Sequence, residues 1–506
     1  MEPFHNVAAA EIDSEAFEKI LSASEPVKYS QGDVIMASGS DSQSICYVEK
    51  GTVEVSYSTK GTNIVVALIG QGELFGEIGF FDGVSRVRNV RAVENSTLRI
   101  WERDQVLRIR SEDPGLYGSF VTLMAQSICN KFRRVLEDRE PLTGYAASLS
   151  TGKRTFREAR AIPEHLFVTE EWRLVNRLVE QCKADFFGLG YELQREKGEE
   201  VSEERRLECR GILDRFNDGL QDCISLIDDE QIEEYLWGFV FKEIFPYFMR
   251  SRFAERAFYK PKGYAGDFLM MEMIYQNRPD GDGKLGRLVD EWCINTAAAR
   301  AVRGRRELLS SILESWCEKH RSREAATRIL NLACGSNREL FDFLGRYKRT
   351  ESIEATCVDA DTEALEYTNR HVNVVPHRAA VRFMQDNVIK WALGRVRHKL
   401  GQMDIIYSAG LTDYLDRKLL QALARQSYEH LKPGGVFVVG NFGLNNPNRA
   451  MMEHLLQWNL IHRSEDDLRN IFLNTPFGKN IDVLSESEGI NLFAVARKQP
   501  EGSLTV

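Results

Sequence analysis

The feature that most constrains the fold is a regular alternation of strand-like and helix-like segments from Arg328 onward. Short apolar runs such as RILNLAC, IEATCVDA and MDIIYSAG are separated by segments of helical periodicity. Parallel strands need a long crossover connection, which is most often a helix. The alternation therefore predicts an α/β, doubly wound (Rossmann-like) parallel sheet over residues 321–506.

The first 140 residues follow a different pattern. Between residues 27 and 100, short alternating apolar and polar runs are broken by glycines, which is typical of a β sandwich or jelly roll. From Asp104 the periodicity is helical, and FVTLMAQSICNKFRRVLEDRE predicts a long helix that leaves the β domain. We therefore expect a β jelly roll with a C-terminal helix over residues 1–140.

Two further segments complete the predicted multidomain organisation. Residues 141–164 are mostly small and polar without sustained periodicity, which indicates a linker. Residues 165–320 are almost wholly amphipathic helix, and we expect them to form a helical cap or substrate segment. A chain of 506 residues is long enough for about three domains.

Charge, hydropathy and cysteine usage narrow the class of protein. A net charge of −9, without a basic recognition helix, argues against a nucleic-acid partner. No apolar run approaches the ~20 residues of a membrane span, and the acidic N-terminus does not resemble a secretory signal, so we expect a cytoplasmic protein. The nine scattered cysteines form no CxxC pair, which predicts reduced thiols and no metal site.

The stretch FGEIGFFDGVSRVRNVRA, residues 75–92, has the chemistry of a nucleotide pocket. Gly76 allows close approach of the main chain to a ligand, and Glu77 can accept a hydrogen bond from a ribose hydroxyl. Arg86 can neutralise a phosphate with a two-pronged donor. The stretch resembles the phosphate-binding cassette of cyclic-nucleotide-binding domains of the catabolite-activator type, which implies cAMP or cGMP as an effector.

The cassette departs from the usual pattern at one place. The two residues after the arginine are usually small, but here they are Val87 and Arg88, and the added arginine either strengthens or obstructs phosphate binding. A domain that kept the fold and lost the ligand is the alternative. The resemblance also implies a homodimer formed through the helix at residues 115–140.

The strand ends of the C-terminal domain carry a second constellation. Ala333 and Gly335 in ILNLACGSN leave main chain and Asn331 free to face a cofactor, and Asp359 ends the next strand, where an acid can accept from ribose hydroxyls. Asp386 follows the third strand, where it can accept from an adenine amino group.

Further residues extend this constellation. The main-chain NH of Asn387 can reach the adenine ring, and Ser408 lies at the carboxyl end of the fourth strand, where the reacting methyl should be. In this order the features resemble class I S-adenosylmethionine-dependent methyltransferases over most of residues 325–500. The loop carries one glycine where most members have two or three, and another doubly wound domain, binding a dinucleotide, is the alternative.

A turn upstream of this domain carries a further signal. In KPKGYAGD, Gly263, Tyr264 and Asp267 predict a tight turn that closes over the cofactor site, whereas a plain turn between core helices is the alternative. With NLACGSN and QWNLIHRSEDDL, it resembles bacterial methyltransferases assigned to biosynthesis of 3-hydroxypalmitic acid methyl ester, a quorum-sensing signal. That resemblance implies methyl transfer from S-adenosylmethionine to a fatty-acid-derived carboxylic acid. We expect allosteric regulation of this activity by the cyclic nucleotide, through docking of residues 1–140 on the helical segment.

An ionised carboxylate attacks a methyl sulfonium without a general base, so the chain needs donors that orient the acid. The candidates are Tyr264, Tyr414, Asn441 and His462, with Arg463 beside them. A hydroxyl or amine acceptor would instead need a base, for which Asp413 is the first candidate. A sensor or scaffold without methyl transfer, and a protein methyltransferase, stay open as alternatives.

Overall fold

The structure is a computed structural model that describes residues 13–59, 62–131, 162–227, 230–320, 326–395 and 400–500. Its strands are β1 Pro26–Tyr29, β2 Val34–Met36, β3 Ile45–Lys50, β4 Val53–Thr59, β5 Thr62–Ile69, β6 Leu74–Phe75, β7 Asn89–Ala92, β8 Ser96–Trp101, β9 Thr327–Leu332, β10 Ile353–Asp359, β11 Ala380–Gln385, β12 Met403–Ser408, β13 Leu431–Phe442, β14 Ile481–Ser485 and β15 Asn491–Arg497.

The helices fall in three groups along the chain. They are α1 Ser14–Ser22, α2 Glu77–Asp82, α3 Arg103–Glu112 and α4 (residues 114–131), then α5 Glu170–Arg195, α6 Glu203–Leu226, α7 Glu230–Phe248, α8 Arg252–Tyr259, α9 Phe268–Gln276, α10 Gly283–Cys293 and α11 Ala297–Lys319, and last α12 Arg338–Arg346, α13 Thr362–Val372, α14 Val388–Ala392, α15 Arg417–His430, α16 Arg449–His454 and α17 Glu465–Leu473.

The chain divides into two compact units. Unit 1 comprises residues 1–144, 357–370 and 382–401, and unit 2 comprises residues 145–356, 371–381 and 402–506.

Unit 1 is built on β structure from the N-terminal part of the chain. One sheet has the strand order β1-β8-β3-β6, and β2, β7, β4 and β5 pair antiparallel in that order. Apolar side chains of α4, including Phe120 and Met124, pack with Ile20 and Trp101. The predicted N-terminal β-sheet domain is confirmed.

The same unit extends to β11. Met384 of β11 pairs parallel with Val65 of β5. Arg382 forms an ion pair with Glu54 at 2.6 Å.

Unit 2 contains a sheet of mixed direction. Its strand order is β14-β15-β13-β12-β9, with β9, β12 and β13 parallel and β15 antiparallel to both of its neighbours. Tyr407 is level with Asn331, so the carboxyl ends of β12 and β9 meet at the same edge. Side chains at these two strand ends are therefore neighbours.

The helices α5 to α11 form the rest of unit 2. The amphipathic pattern gives them a shared apolar core, which includes Phe186 of α5, Phe216 of α6 and Ile244 of α7. A largely helical segment followed by a mixed α/β segment is therefore confirmed. Within the residues that the structure describes, no helix is both long and apolar enough to cross a membrane.

Some details of the sequence prediction change. Helix α17 and strand β14 were absent from the predicted elements. Most of the predicted linker, residues 141–161, lies outside the described residues. The nine cysteines all lie in the described residues and none forms a disulfide there, and eight of them are buried.

Candidate functional site

The nucleotide cassette of unit 1 begins with a left-handed glycine. Gly76 has φ +92°, and a Cβ at this position would lie 2.6 Å from the carbonyl oxygen of Ser44. Only glycine combines this backbone angle with such a close approach. Gly76 thus sets the direction of α2 and of Glu77, its first residue.

Arg86 lies against this turn. Its Nη1 donates to the Gly76 carbonyl at 2.9 Å and its Nη2 donates to the Ser44 carbonyl, while no atom in the described residues accepts from its buried Nε. Burial lowers the pKa of Arg86. A buried guanidinium with a free donor is suited to an anionic ligand such as a phosphate.

Glu77 is held by the helix that follows the β domain. Its Oε1 accepts from Lys131 Nζ at 2.5 Å and from Ser127 Oγ at 3.1 Å, both on α4. The carboxylate is almost fully buried. The predicted ribose-binding acid therefore links the cassette to α4.

The two unusual residues of the cassette point away from its centre. Val87 is exposed, and Arg88 donates to the Val87 carbonyl while its guanidinium lies 4.7 Å from the centre of the Tyr57 ring. In the described contacts Arg88 does not pair with Glu77 or Arg86.

In unit 2 the turn after β9 has a strained backbone. Ala333, Gly335 and Asn337 have φ values of 55°, 53° and 54°, in the left-handed region that non-glycine residues rarely adopt. For Ala333 such strain costs about 1–3 kcal/mol, and backbone strain of this kind clusters at ligand sites. The single glycine of the loop is thus accompanied by two other residues with the same conformation.

Buried polar side chains surround this turn. Asn331 Nδ2 donates to Asn337 Oδ1 at 2.7 Å and to Glu339 Oε1 at 3.2 Å, and the Tyr407 hydroxyl donates to the same two oxygens. Burial raises the pKa of Glu339. The network fixes the side chains at the carboxyl ends of β9 and β12.

Two polar atoms at these strand ends lack a partner. In the described part of the chain, Asn331 Oδ1 and Ser408 Oγ are buried and make no hydrogen bond. A buried polar group without a partner is costly, so such atoms are commonly completed by a ligand or water. They fit the amino-acid or ribose part of S-adenosylmethionine, which is polar.

Three of the predicted cofactor residues belong to unit 1. The NH of Asp386 donates to the Asp359 carbonyl at 3.1 Å, and the Asp359 carboxylate accepts from the NH of Asp361. The Asp386 carboxylate accepts from the NH of Asn387, whose own side chain caps α14. Their roles in binding a cofactor stay predictions.

The KPKGYAGD turn lies beside the strained loop of unit 2. Gly263 has φ +90°, and Phe268, the first residue of α9, comes within 3.9 Å of a Cβ placed on Gly335. Asp267 is fully buried, caps α9 and pairs with Arg256 through both oxygens. These contacts favour a structural role for Asp267, while its predicted part in cofactor binding is untested.

The predicted donors Tyr264 and Tyr414 are brought together. Their rings meet edge to face with centroids 6.0 Å apart, and Trp458 Nε1 donates to the Tyr414 hydroxyl at 3.0 Å. A Cβ on Gly266 would lie 2.7 Å from that hydroxyl. The upstream turn and the segment after β12 therefore form one aromatic cluster.

Asn441 and Arg463 are buried in a different network. Asn441 Oδ1 accepts from Thr412 and Arg463, and its amide donates to the Phe442 and Ile461 carbonyls. Both side chains thus fix the segment after β12. These contacts favour a structural role over the predicted orienting role, which stays untested.

His462 is also enclosed. Its Nε2 contacts Asn446 at 3.2 Å and its Nδ1 contacts the Leu460 carbonyl at 3.2 Å. Burial lowers the pKa of His462 to about 4. At neutral pH the imidazole is uncharged, so any orienting role would use a neutral ring.

Asp413, the candidate base, is buried and directly precedes Tyr414 in the chain. Its Oδ1 accepts from the NH of Phe442 at 2.6 Å. Burial raises the pKa of Asp413 to about 6.

One buried cation in unit 2 was missed by the sequence prediction. Arg305 of α11 has only 6% of its surface exposed. In sequence it is one of four arginines within seven residues of an amphipathic helix, and nothing in the pattern distinguishes it.

Two family models match separate parts of the chain. One, described as "Cyclic nucleotide-binding domain", matches residues 26–113, and the other, described as "Putative methyltransferase", matches residues 265–387. The second match includes the KPKGYAGD residues from Ala265 onward and ends at Asn387. Residues 26–113 are therefore similar to cyclic nucleotide-binding domains, and residues 265–387 are similar to the family described as "Putative methyltransferase".

Individual proteins are similar over smaller parts. The catabolite activator protein of Thermus thermophilus is 24% identical, covering 30% of this chain and 68% of that one, with a TM-score of 0.24. A cyclic nucleotide-binding domain from Methylobacillus flagellatus is 18% identical, covering 27% and 80%, with a TM-score of 0.25. The uncharacterized protein YnbC of Escherichia coli K12 is 30% identical over 83 residues, and this match spans 14% of YnbC and 16% of this chain.

Proposed function

We propose that the chain is an S-adenosylmethionine-dependent methyltransferase that converts a small carboxylic acid, of the 3-hydroxy fatty acid class, into its methyl ester. A cyclic nucleotide bound by unit 1 regulates the reaction. The observation that carries the cofactor proposal is the pair of unpartnered buried atoms, Asn331 Oδ1 and Ser408 Oγ, beside a turn with three left-handed residues.

Parallel β9, β12 and β13 support a doubly wound, class I arrangement of the methyltransferase domain. Asp359 and Asp386 are proposed as the ribose and adenine acids from their order in the sequence.

When bound, S-adenosylmethionine supplies an electrophilic methyl group. The residues of the chain then have to position the acid and exclude water, because a carboxylate needs no base. The Tyr264 and Tyr414 cluster, closed by Trp458, is the proposed positioning surface. An ester product is favoured over reaction at a hydroxyl because Asp413, the candidate base, already accepts a main-chain hydrogen bond and is buried.

The effector proposal is supported by the cassette. Arg86 retains a buried donor for a cyclic phosphate, and Glu77 lies on the same turn. We propose cAMP or cGMP as the ligand because both carry the ribose and cyclic phosphate that these groups fit.

Contacts inside unit 1 suggest how the effector could act. Glu54 pairs with Arg382, and the Tyr57 hydroxyl donates to Gln385 Oε1 at 3.2 Å. Arg382 and Gln385 belong to β11, immediately before Asp386. A conformational change in the nucleotide-binding domain would therefore alter the position of Asp386, a predicted cofactor residue. The proposed coupling free energy between nucleotide binding and cofactor binding is about 1–3 kcal/mol.

A cytoplasmic homodimer formed through α4 is part of this proposal. Light scattering on the full chain tests it, and a monomeric mass in the presence and absence of cyclic nucleotide would contradict it.

The direct test is incubation of the full chain with methyl-labelled S-adenosylmethionine and a panel of 3-hydroxy fatty acids, with and without cAMP or cGMP. We expect a labelled methyl ester whose rate of formation changes with the effector. Label on a polypeptide would indicate a protein methyltransferase, and no product at all would indicate a sensor or scaffold. An unchanged rate with saturating nucleotide would refute the regulation alone.

A further inference from the structure

Arg305 lies at the carboxyl end of β12, close to the proposed methyl-transfer site. A Cβ placed on Gly410, two residues after Ser408, would lie 3.0 Å from Arg305 Nη1. The guanidinium thus reaches the main chain of the segment that begins with an unpartnered Ser408 hydroxyl.

The partners of this guanidinium are weak or neutral. Its Nη2 donates to the Met271 sulfur at 3.1 Å, and sulfur is a weak acceptor. Burial raises the pKa of Tyr275, which also hydrogen-bonds to Arg305, so this phenol is uncharged at neutral pH. Nothing in the described chain accepts from the buried Nε of Arg305, and no described carboxylate forms an ion pair with it.

The other arginines of α11 are satisfied inside the protein. Arg300 pairs with Glu488, Arg303 donates to main-chain carbonyls, and Arg306 forms a two-pronged pair with Asp342. Arg305 is therefore the exception on a helix whose other three arginines have conventional partners.

Two carboxyl groups, Asp413 and Glu339, interact with the charge of Arg305 but do not form an ion pair with it. Burial raises the pKa of both Asp413 and Glu339. The positive charge of Arg305 lowers the pKa of each, but this effect is smaller than that of burial. A buried charge is expensive unless it is paired with an opposite charge. The absence of an ion pair in the described chain, together with the buried Nε that has no acceptor, points to an anion that is not part of the chain.

Resting on the proposed methyltransferase function, we propose that Arg305 is the carboxylate-binding residue of the site. The carboxylate belongs either to the acid that is methylated or to the amino-acid end of the cofactor, since both present the same group. The planar guanidinium, with its free Nε beside Nη2, matches the two oxygens of a carboxylate.

Two pairs of ligands separate these sources. In the first arm, calorimetry compares S-adenosylhomocysteine with 5′-methylthioadenosine, which lacks the amino-acid end. In the second arm, octanoic acid is compared with octanamide. Each arm is run on the full-length wild-type chain, R305M, R305K and the control R300M, which removes an exposed arginine of the same helix.

We expect R305M to weaken binding of the carboxylate ligand of one pair by about 10- to 100-fold. Its affinity for the neutral ligand of that pair should stay within about 2-fold of wild type. The affinity of R305K for the carboxylate ligand should lie between those of R305M and wild type, because lysine keeps the charge but lacks the planar guanidinium. R300M should behave as wild type. The arm that responds identifies the source of the carboxylate.

Unchanged affinities in both arms would overturn the proposal. Equal losses of affinity for the charged and the neutral ligand of a pair would also overturn it, because they would indicate a structural role for Arg305. If the wild type binds neither adenosine ligand, the cofactor proposal fails, while the octanoic acid arm still decides the role of Arg305. A wild type that binds no carboxylate in either arm overturns both.

Discussion

The ion pair between Glu272 and Arg338 joins two segments that we assign to the methyltransferase site. Glu272 belongs to α9, which follows the KPKGYAGD turn, and Arg338 begins α12, directly after the strained loop. Arg338 donates to both oxygens of Glu272, at 2.7 Å and 2.5 Å. The side chain of Glu272 is 4% exposed and that of Arg338 is 24% exposed.

Replacement of Arg338 by methionine should lower the free energy of unfolding. Removal of one partner from a buried ion pair costs about 3–5 kcal/mol because the other charge stays buried. Arg338 is partly solvated and Gln276 also donates to Glu272 at 3.4 Å, so we expect about 2–3 kcal/mol here. Unit 2 has about 330 residues, so this change in the free energy of unfolding corresponds to a fall of roughly 3–4 °C in Tm.

The assay is thermal unfolding of the full chain followed by tryptophan fluorescence, with calorimetric titration of S-adenosylhomocysteine. R338M should also weaken binding of S-adenosylhomocysteine, because Arg338 anchors the loop that we propose as the cofactor turn. The double variant E272Q/R338M should lower the free energy of unfolding by less than the sum of the two single variants, because the buried charge of Glu272 is no longer left without a partner. R252M, which breaks an exposed ion pair with Glu255 on the same helix, is the control and should change the free energy of unfolding by less than about 0.5 kcal/mol.

An R338M variant as stable as R252M would refute this reasoning, and additive effects in the double variant would do the same.

Three further predictions concern other parts of the chain. E77Q should weaken cAMP or cGMP binding by about 10- to 100-fold through loss of a charged hydrogen bond, and calorimetric affinity within about 2-fold of wild type would contradict it. The double variant E54Q/R382Q should reduce the effect of cyclic nucleotide on turnover, whereas an unchanged ratio of rates with and without nucleotide would exclude this route. Burial raises the pKa of Asp413 from 3.8 to about 6, so its contribution to stability is present below pH ~4 and is lost as the pH rises through ~6. D413N should therefore gain about 2 kcal/mol in free energy of unfolding relative to wild type between pH 4 and pH 7 in denaturant unfolding, and a pH-independent difference would contradict the assigned shift.

The order of strands and helices could be predicted from the sequence because periodicity reports which faces are buried. The exceptions are informative. Helix α17 starts at a capping box formed by Ser464 and Asp467, a local signal that was available in the sequence. Strand β14 is largely exposed, so its apolar pattern is weak.

The turn after β9, which we propose as the cofactor loop, has a conformation that the sequence does not predict. A single Gly335 suggests weak resemblance to a glycine-rich turn, yet Ala333 and Asn337 adopt the same left-handed conformation. Sequence preferences do not predict this conformation for alanine, because it is unfavourable unless the surroundings impose it. Only the packed structure shows that three positions bend in the same sense.

Asp267 and Arg305 show the same limit for side chains. Spacing placed Asp267 near the cofactor turn, but it caps a helix and pairs with Arg256. Arg305 could not be separated from Arg300, Arg303 and Arg306 by pattern, because tertiary contacts decide which arginine lacks a partner.

The central claim is tested most directly by calorimetric titration of the full chain with S-adenosylhomocysteine. We predict one site per chain, at least about 10-fold weaker binding by D359A through loss of the proposed ribose acceptor, and wild-type affinity for E354Q, which changes an exposed residue of the same strand. Absence of binding by the wild type, or equal affinity of D359A and wild type, would contradict the proposed cofactor site.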